Sequence, residues 1–117
     1  MVEKFKELLN KIKAERGEET ITLFAIAKMD DLTDRWVVIL CAPWATGQEA
    51  FEYVRKIIVE GLSQEELSSV ARISVSNRDE SLIKGLLQYQ TGSSITDDTK
   101  INGNIVHEAH ILESNPN

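Results

Sequence analysis

The first apolar positions of the chain recur at helical spacing. Phe5, Leu8, Leu9 and Ile12 fall on one stripe with lysines and glutamates between them, which predicts an amphipathic helix over residues 2–16 that stops at Gly17. The pattern then changes. Residues 19–29 and 35–43 are rich in β-branched and apolar side chains and predict two strands. Asp30-Asp31-Leu32-Thr33-Asp34 lies between them and is made of turn formers, so the pair predicts an antiparallel hairpin. Pro43 cannot donate to a ladder and marks the end of the second strand.

Helical spacing returns over residues 47–61, with Phe51, Val54, Ile57 and Ile58 as the apolar stripe. Thr46 with Glu49 has the spacing of a capping box, and Ser63 with Glu66 repeats it ahead of a short helix that runs to about residue 69. Residues 70–76 alternate: Ala71, Ile73 and Val75 take one side, Arg72, Ser74 and Ser76 the other. Asn77 or Asp79 is placed to cap a helix to about Gln88, buried through Leu82, Ile83, Leu86 and Leu87. Residues 92–100 read as loop, Asn102-Gly103 as a type I′ turn, 105–112 as the last strand and 113–117 as a frayed tail. The order α-β-β-α-α-β-α-(β)-β predicts one α+β domain over 1–117, a largely antiparallel sheet with helices packed on it.

The hairpin departs from the usual alternation. Ile21, Leu23, Ala25 and Ala27 face one side of its first strand, and Thr22, Phe24, Ile26 and Lys28 the other. In the second strand Trp36, Val38, Leu40 and Ala42 oppose Val37, Ile39 and Cys41. Both faces are apolar and both need a cover. Two covers are available: the chain's own helices in a three-layer arrangement, or a second copy seated on Trp36, Val38 and Leu40 as a homodimer interface.

Composition narrows the function classes. The chain has 117 residues, 42% hydrophobic and 27% charged, a globular rather than a disordered balance. The single cysteine, Cys41, has no internal disulfide partner, which favours a reducing compartment and a cytoplasmic location. The opening residues mix acids and bases without the apolar stretch of a signal peptide, and no apolar run approaches the length of a membrane helix. Net charge is −6. The first 16 residues hold five basic and three acidic side chains, so the rest of the chain carries −8. An acidic body disfavours a nucleic-acid partner.

Candidate chemistry is sparse. Asp30, Asp31 and Asp34 cluster as hard-cation ligands do, but without the alternation, central Gly and distal Glu of a calcium loop. Lys28 and Arg35 stand ready to neutralise them, so a plain turn explains them as well. His107 and His110, in Ile-Val-His-Glu-Ala-His-Ile, would share a helix face at this spacing. On a strand they point apart, and neither matches a zinc-protease spacing. Either could act as a base beside a carboxylate, or be structural. Cys41 lies among apolar neighbours, the setting of an inert thiol. Trp44 suits a ligand-stacking aromatic, an interface anchor or a plug at the end of the core. Thr91-Gly92-Ser93-Ser94 lacks the lysine and second glycine of a phosphate loop.

The stretch from Lys28 to Trp44, with Gly103-Asn-Ile-Val-His-Glu near the end, resembles small prokaryotic proteins of unassigned function. The resemblance implies a bacterial or archaeal cytosolic origin and carries no activity, cofactor or site residue. The leading functional reading of the sequence is a non-enzymatic, self-associating interaction or regulatory module with no cofactor. The alternatives are a small hydrolase or metal-dependent enzyme using His107 or His110 with Asp30, Asp31 or Asp34, and a small-ligand sensor with an apolar pocket near Trp44.

Overall fold

In the computed structural model, which describes residues 1–29 and 34–116, the hairpin lies in the middle of a five-stranded sheet. The elements are α1 (Val2–Arg16), β1 (Leu23–Lys28), β2 (Trp36–Cys41), α2 (Gly47–Gly61), α3 (Gln64–Leu67), β3 (Val70–Val75), α4 (Ser81–Leu86), β4 (Ser94–Ile95), β5 (Thr99–Ile101), β6 (Asn104–Val106) and β7 (Glu108–Ser114). The sheet order is β3-β2-β1-β7-β4, and β5 and β6 form a separate two-stranded ribbon. β1 runs antiparallel to β2 and to β7, and β4 antiparallel to β7, while β2 and β3 are parallel. A parallel neighbour needs a long crossover, and α2 with α3 supplies it. The α+β class and the element order follow the hydrophobic pattern.

The hairpin's two apolar faces have two covers, and both come from the chain itself. Phe24, Ile26, Trp36, Val38 and Leu40 pack under Phe5, Leu8, Leu9 and Ile12 of α1 and Ala50, Val54, Ile57 and Ile58 of α2. On the other face Leu23, Ala25, Ala27, Val37, Ile39 and Cys41 pack with Ile83, Leu86 and Leu87 around α4 and with Ile101 and Val106 of the ribbon. The three-layer arrangement is therefore the one adopted. Trp36, Val38 and Leu40, expected as an interface for a second copy, are 7%, 0% and 0% exposed. The two helices occupy the place a partner would take, because a stripe of four apolar residues on each can be buried without leaving the chain.

Several local expectations change. The last strand is broken at His107, whose N–H donates to the Lys28 carbonyl (2.8 Å), so that β6 belongs to the ribbon and β7 to the sheet. Of the expected tail, residues 113–115 are held in place. Glu113 and Ser114 pair with β1, the Asn115 N–H donates to the Thr22 carbonyl (2.8 Å), and its side-chain amide donates to the Ile21 carbonyl (2.9 Å). Residues 92–100 contain two short strands rather than loop alone. Thr46 precedes α2 but makes no side-chain cap hydrogen bond, whereas Ser63 and Glu66 form both bonds of their box. Neither Asn77 nor Asp79 caps α4. Its N-cap is Glu80, and Asn77 Oδ1 instead accepts the Asp79 N–H in an Asx turn (2.9 Å). Asn102 and Gly103, at φ 46° and 90°, link β5 to β6 as the type I′ signature requires.

Candidate functional site

The parallel pairing of β2 with β3 brings two chain turns to one end of the sheet. β2 ends at Cys41, and the chain turns through Ala42 and Pro43 into α2 at Gly47, where φ is 76°. β3 ends at Val75, Ser76 extends the pairing through its N–H to the Leu40 carbonyl (2.8 Å), and the Asx turn then carries Arg78 and Glu80 past the strand ends. Between the two turns is a cavity of about 400 Å³, lined by Thr22, Ala42, Pro43, Ala45, Thr46 and Val75 together with Cys41, Gly47, Ser76, Asn77, Arg78 and Glu80. Crevices beyond the carboxyl ends of parallel strands are the usual ligand position in sheets with helical crossovers, because the strand-to-helix turns diverge there.

The polar groups of this cavity are unevenly satisfied. Ser76 is buried and its hydroxyl is paired with that of Ser74 (2.6 Å). Thr22 is 8% exposed, and its hydroxyl makes no hydrogen bond among the described residues. The first N–H groups of α2 lack a side-chain cap. The Cys41 thiol is held above its ordinary pKa chiefly by burial. The nearby Arg78 charge pulls it down and Glu80 pushes it up, so both charges act on this cavity wall. The thiol is neutral and a weak nucleophile there, in line with its apolar neighbours in the sequence.

The histidines lie elsewhere. Each is bonded to its own carboxylate: His107 Nδ1 to Asp98 Oδ1 at 2.8 Å, His110 Nε2 to Glu108 Oε2 at 2.9 Å. His110 Nδ1 also lies 3.0 Å from Ser94 Oγ across the β4–β7 pair. With Nε2–H donating to Glu108, Nδ1 of the neutral ring accepts the Ser94 hydroxyl proton. Asp34 reaches this group indirectly: Lys28 Nζ lies 3.0 Å from Asp34 and 4.0 Å from Glu108. It also sits 4.6 Å above the ring of Trp36, against which His110 is tilted. Asp30 and Asp31 lie outside the described residues. Among the described residues no group of three or more His, Cys, Asp or Glu side chains is arranged to hold a metal ion.

Trp44 is half-buried and occupied by its neighbours rather than by open space. Its Nε1 donates to Thr20 Oγ1 (3.2 Å), it meets Tyr53 edge-on, and the Arg16 guanidinium lies 4.8 Å from its ring and 4.3 Å from that of Tyr53. The cavity opens beside it in sequence, at Pro43 and Ala45, but Trp44 does not line it.

Thr22, Ser76, Arg78 and Glu80 carry no motif that marks them in the sequence, while Ser94 and Glu108 stand in stretches whose spacing matches neither a phosphate loop nor a zinc-protease motif. The available signal was the helix between residues 35–43 and 70–76. Read as the crossover of a parallel pair, it would have pointed to residues 41–47 and 75–80. Compared with known proteins, the chain matches no family model, no curated sequence and no solved structure. Among the described residues no helix is long and apolar enough to cross a membrane.

Proposed function

We propose that this protein is a small-molecule-binding module whose ligand occupies the cavity at the carboxyl ends of β2 and β3. The observation that carries the reading is the coincidence of that cavity with uncapped helix amides, an unbonded hydroxyl and a guanidinium on its walls. A volume of about 400 Å³ suits a metabolite-sized ligand rather than a polymer. The self-association reading loses its basis, since α1, α2 and α4 close the hairpin faces that motivated it. The test is a screen of mixed metabolites against the isotope-labelled protein by amide chemical shift. Binding is expected to move Thr22, Cys41, Gly47 and Ser76 together. A screen in which those four amides never move as a group would refute the reading.

A second reading rests on a different observation, the Ser94–His110–Glu108 string. A hydroxyl bonded to an imidazole that a carboxylate orients is the arrangement of a base-activated nucleophile, here with the two ring nitrogens in exchanged roles. Ser94 is exposed, so a fluorophosphonate probe has access to it. Labelling that disappears in Ser94→Ala and in His110→Asn would support acyl-transfer chemistry. The absence of labelling at Ser94 would leave a cross-strand hydrogen bond and nothing more.

A further inference from the structure

The cavity walls also say what class of ligand fits, an inference that rests on the binding reading above. We infer that the site takes a small molecule through an oxyanion, a phosphate or carboxylate group, seated at the N-terminus of α2.

Three independent features converge on this. The first is the helix end. α2 has 15 residues, begins at Gly47 on the cavity wall and receives no hydrogen bond from the Thr46 side chain. Its first N–H groups therefore point outward with the positive end of the helix dipole, equivalent to about half an elementary charge. Glu49, the acid of the first turn, is not among the lining residues. The second is Thr22. Nearly all of this side chain is buried, yet its hydroxyl has no hydrogen-bond partner among the described residues and lines the same cavity. The hydroxyl is not among the fully buried side-chain atoms that lack a partner, so it keeps open access, and a ligand oxygen can accept its hydrogen bond. The third is Arg78, a cavity-lining cation that forms no ion pair among the described residues and whose field reaches the Cys41 thiol. A guanidinium binds carboxylate or phosphate through two parallel N–H groups.

Two further charges shape the ligand. Glu80 also lines the cavity, so a molecule that is anionic throughout is opposed there, and one with a hydrogen-bond-donating or cationic remainder is favoured. The net charge of −6 opposes polyanions at long range. A small molecule with one anionic group satisfies both.

The test is a titration of the full chain at low salt with inorganic phosphate, and separately with acetate, read by amide shifts. Gly47 and Gln48 are expected to move saturably in at least one of the two, and the stronger arm identifies the oxyanion. Arg78→Gln is expected to weaken binding about tenfold, the loss of one charge-assisted hydrogen-bonding group. Thr22→Val, which preserves shape and β-branching, is expected to weaken it as well, and Glu80→Gln to tighten it. Phosphate and acetate that both leave Gly47 and Gln48 unmoved would overturn the inference, as would binding that Arg78→Gln and Thr22→Val do not change. If neutral metabolites still move the cavity amides, the inference fails alone and the binding reading stands. If nothing moves them, both fail.

Discussion

Gly85 of α4 lies so close to Ile101 of β5 that a methyl group on its Cα would overlap Ile101 Cγ2. The contact joins the short helix to the ribbon that covers one face of the hairpin. On an exposed helix, Gly→Ala gains up to about 1 kcal/mol of helix propensity. Here overpacking costs about 1–3 kcal/mol, so Gly85→Ala is expected to be destabilising on balance. A lower urea midpoint at unchanged m would show it. Made on an Ile101→Ala background, where Cγ2 is gone, the same substitution should cost less, and the difference is the contact.

Cys41 sets a pH dependence whose sign follows from its burial. Its pKa in the fold is raised above the ordinary 9.0. Between the two values the unfolded chain has lost the proton and the native one has kept it. The contribution is therefore fully present below pH 9.0 and is lost as pH rises through the folded value. Tyr53, raised by burial and by its bond to Glu15, acts with the same sign but only above pH 10.0. Denaturant midpoints measured just above pH 9.0 should fall for the native sequence and hold level for Cys41→Ala. Equal slopes in the two proteins would contradict the assignment.

The capping box predicts a shift that can be read directly. The Glu66 carboxylate accepts the Ser63 N–H at 2.8 Å, and this backbone hydrogen bond is the main cause of its lowered pKa. A depressed carboxylate stabilises the fold above its unfolded pKa, and that contribution disappears as pH falls through the folded value. Glu66→Gln should keep the box geometry while removing this part of the acid sensitivity. Carbon-detected NMR titration should place Glu66 below the ordinary glutamate value of 4.5, and an unshifted Glu66 would refute the box.

Lys13 and Glu113 form a partly buried ion pair at 2.8 Å between α1 and the end of β7, with Asn115 Nδ2 also donating to the same carboxylate at 2.7 Å. Their side chains are 22% and 14% exposed. An exposed pair contributes less than about 1 kcal/mol, and breaking a fully buried one costs about 3–5. Lys13→Met is expected between these, near 1–2 kcal/mol, because it strands the carboxylate without a cation. Hydrogen exchange at Ser114 and Asn115 should speed up in that variant. Unchanged protection there would mean that the backbone pairing of β7 alone holds the terminus.

Elements with a strong period were legible. The stripe Phe5, Leu8, Leu9 and Ile12 is the buried face of α1, and the two-sided hairpin reads correctly because its pattern demands two covers. Where several short segments compete, periodicity loses resolution. Ile105 to Leu112 looks continuous, yet the chain leaves the ribbon and enters the sheet at His107. The end of β7 carries polar residues that suggest fraying, and it is tied down by the Thr22 and Ile21 carbonyls, which no local pattern could reveal.

By itself the sequence determined the α+β class, the order of the elements and the need to bury both faces of residues 19–43, because apolar spacing and turn chemistry are local properties of the chain. Tertiary structure alone decided that α1, α2 and α4 rather than a partner provide the cover, that β3 runs parallel to β2, and that Thr22, Arg78 and the start of α2 meet around one cavity. Those are choices among non-local pairings. Residues 22, 47 and 78 become neighbours only once a crossover has closed, and nothing in the spacing of any one of them encodes the other two.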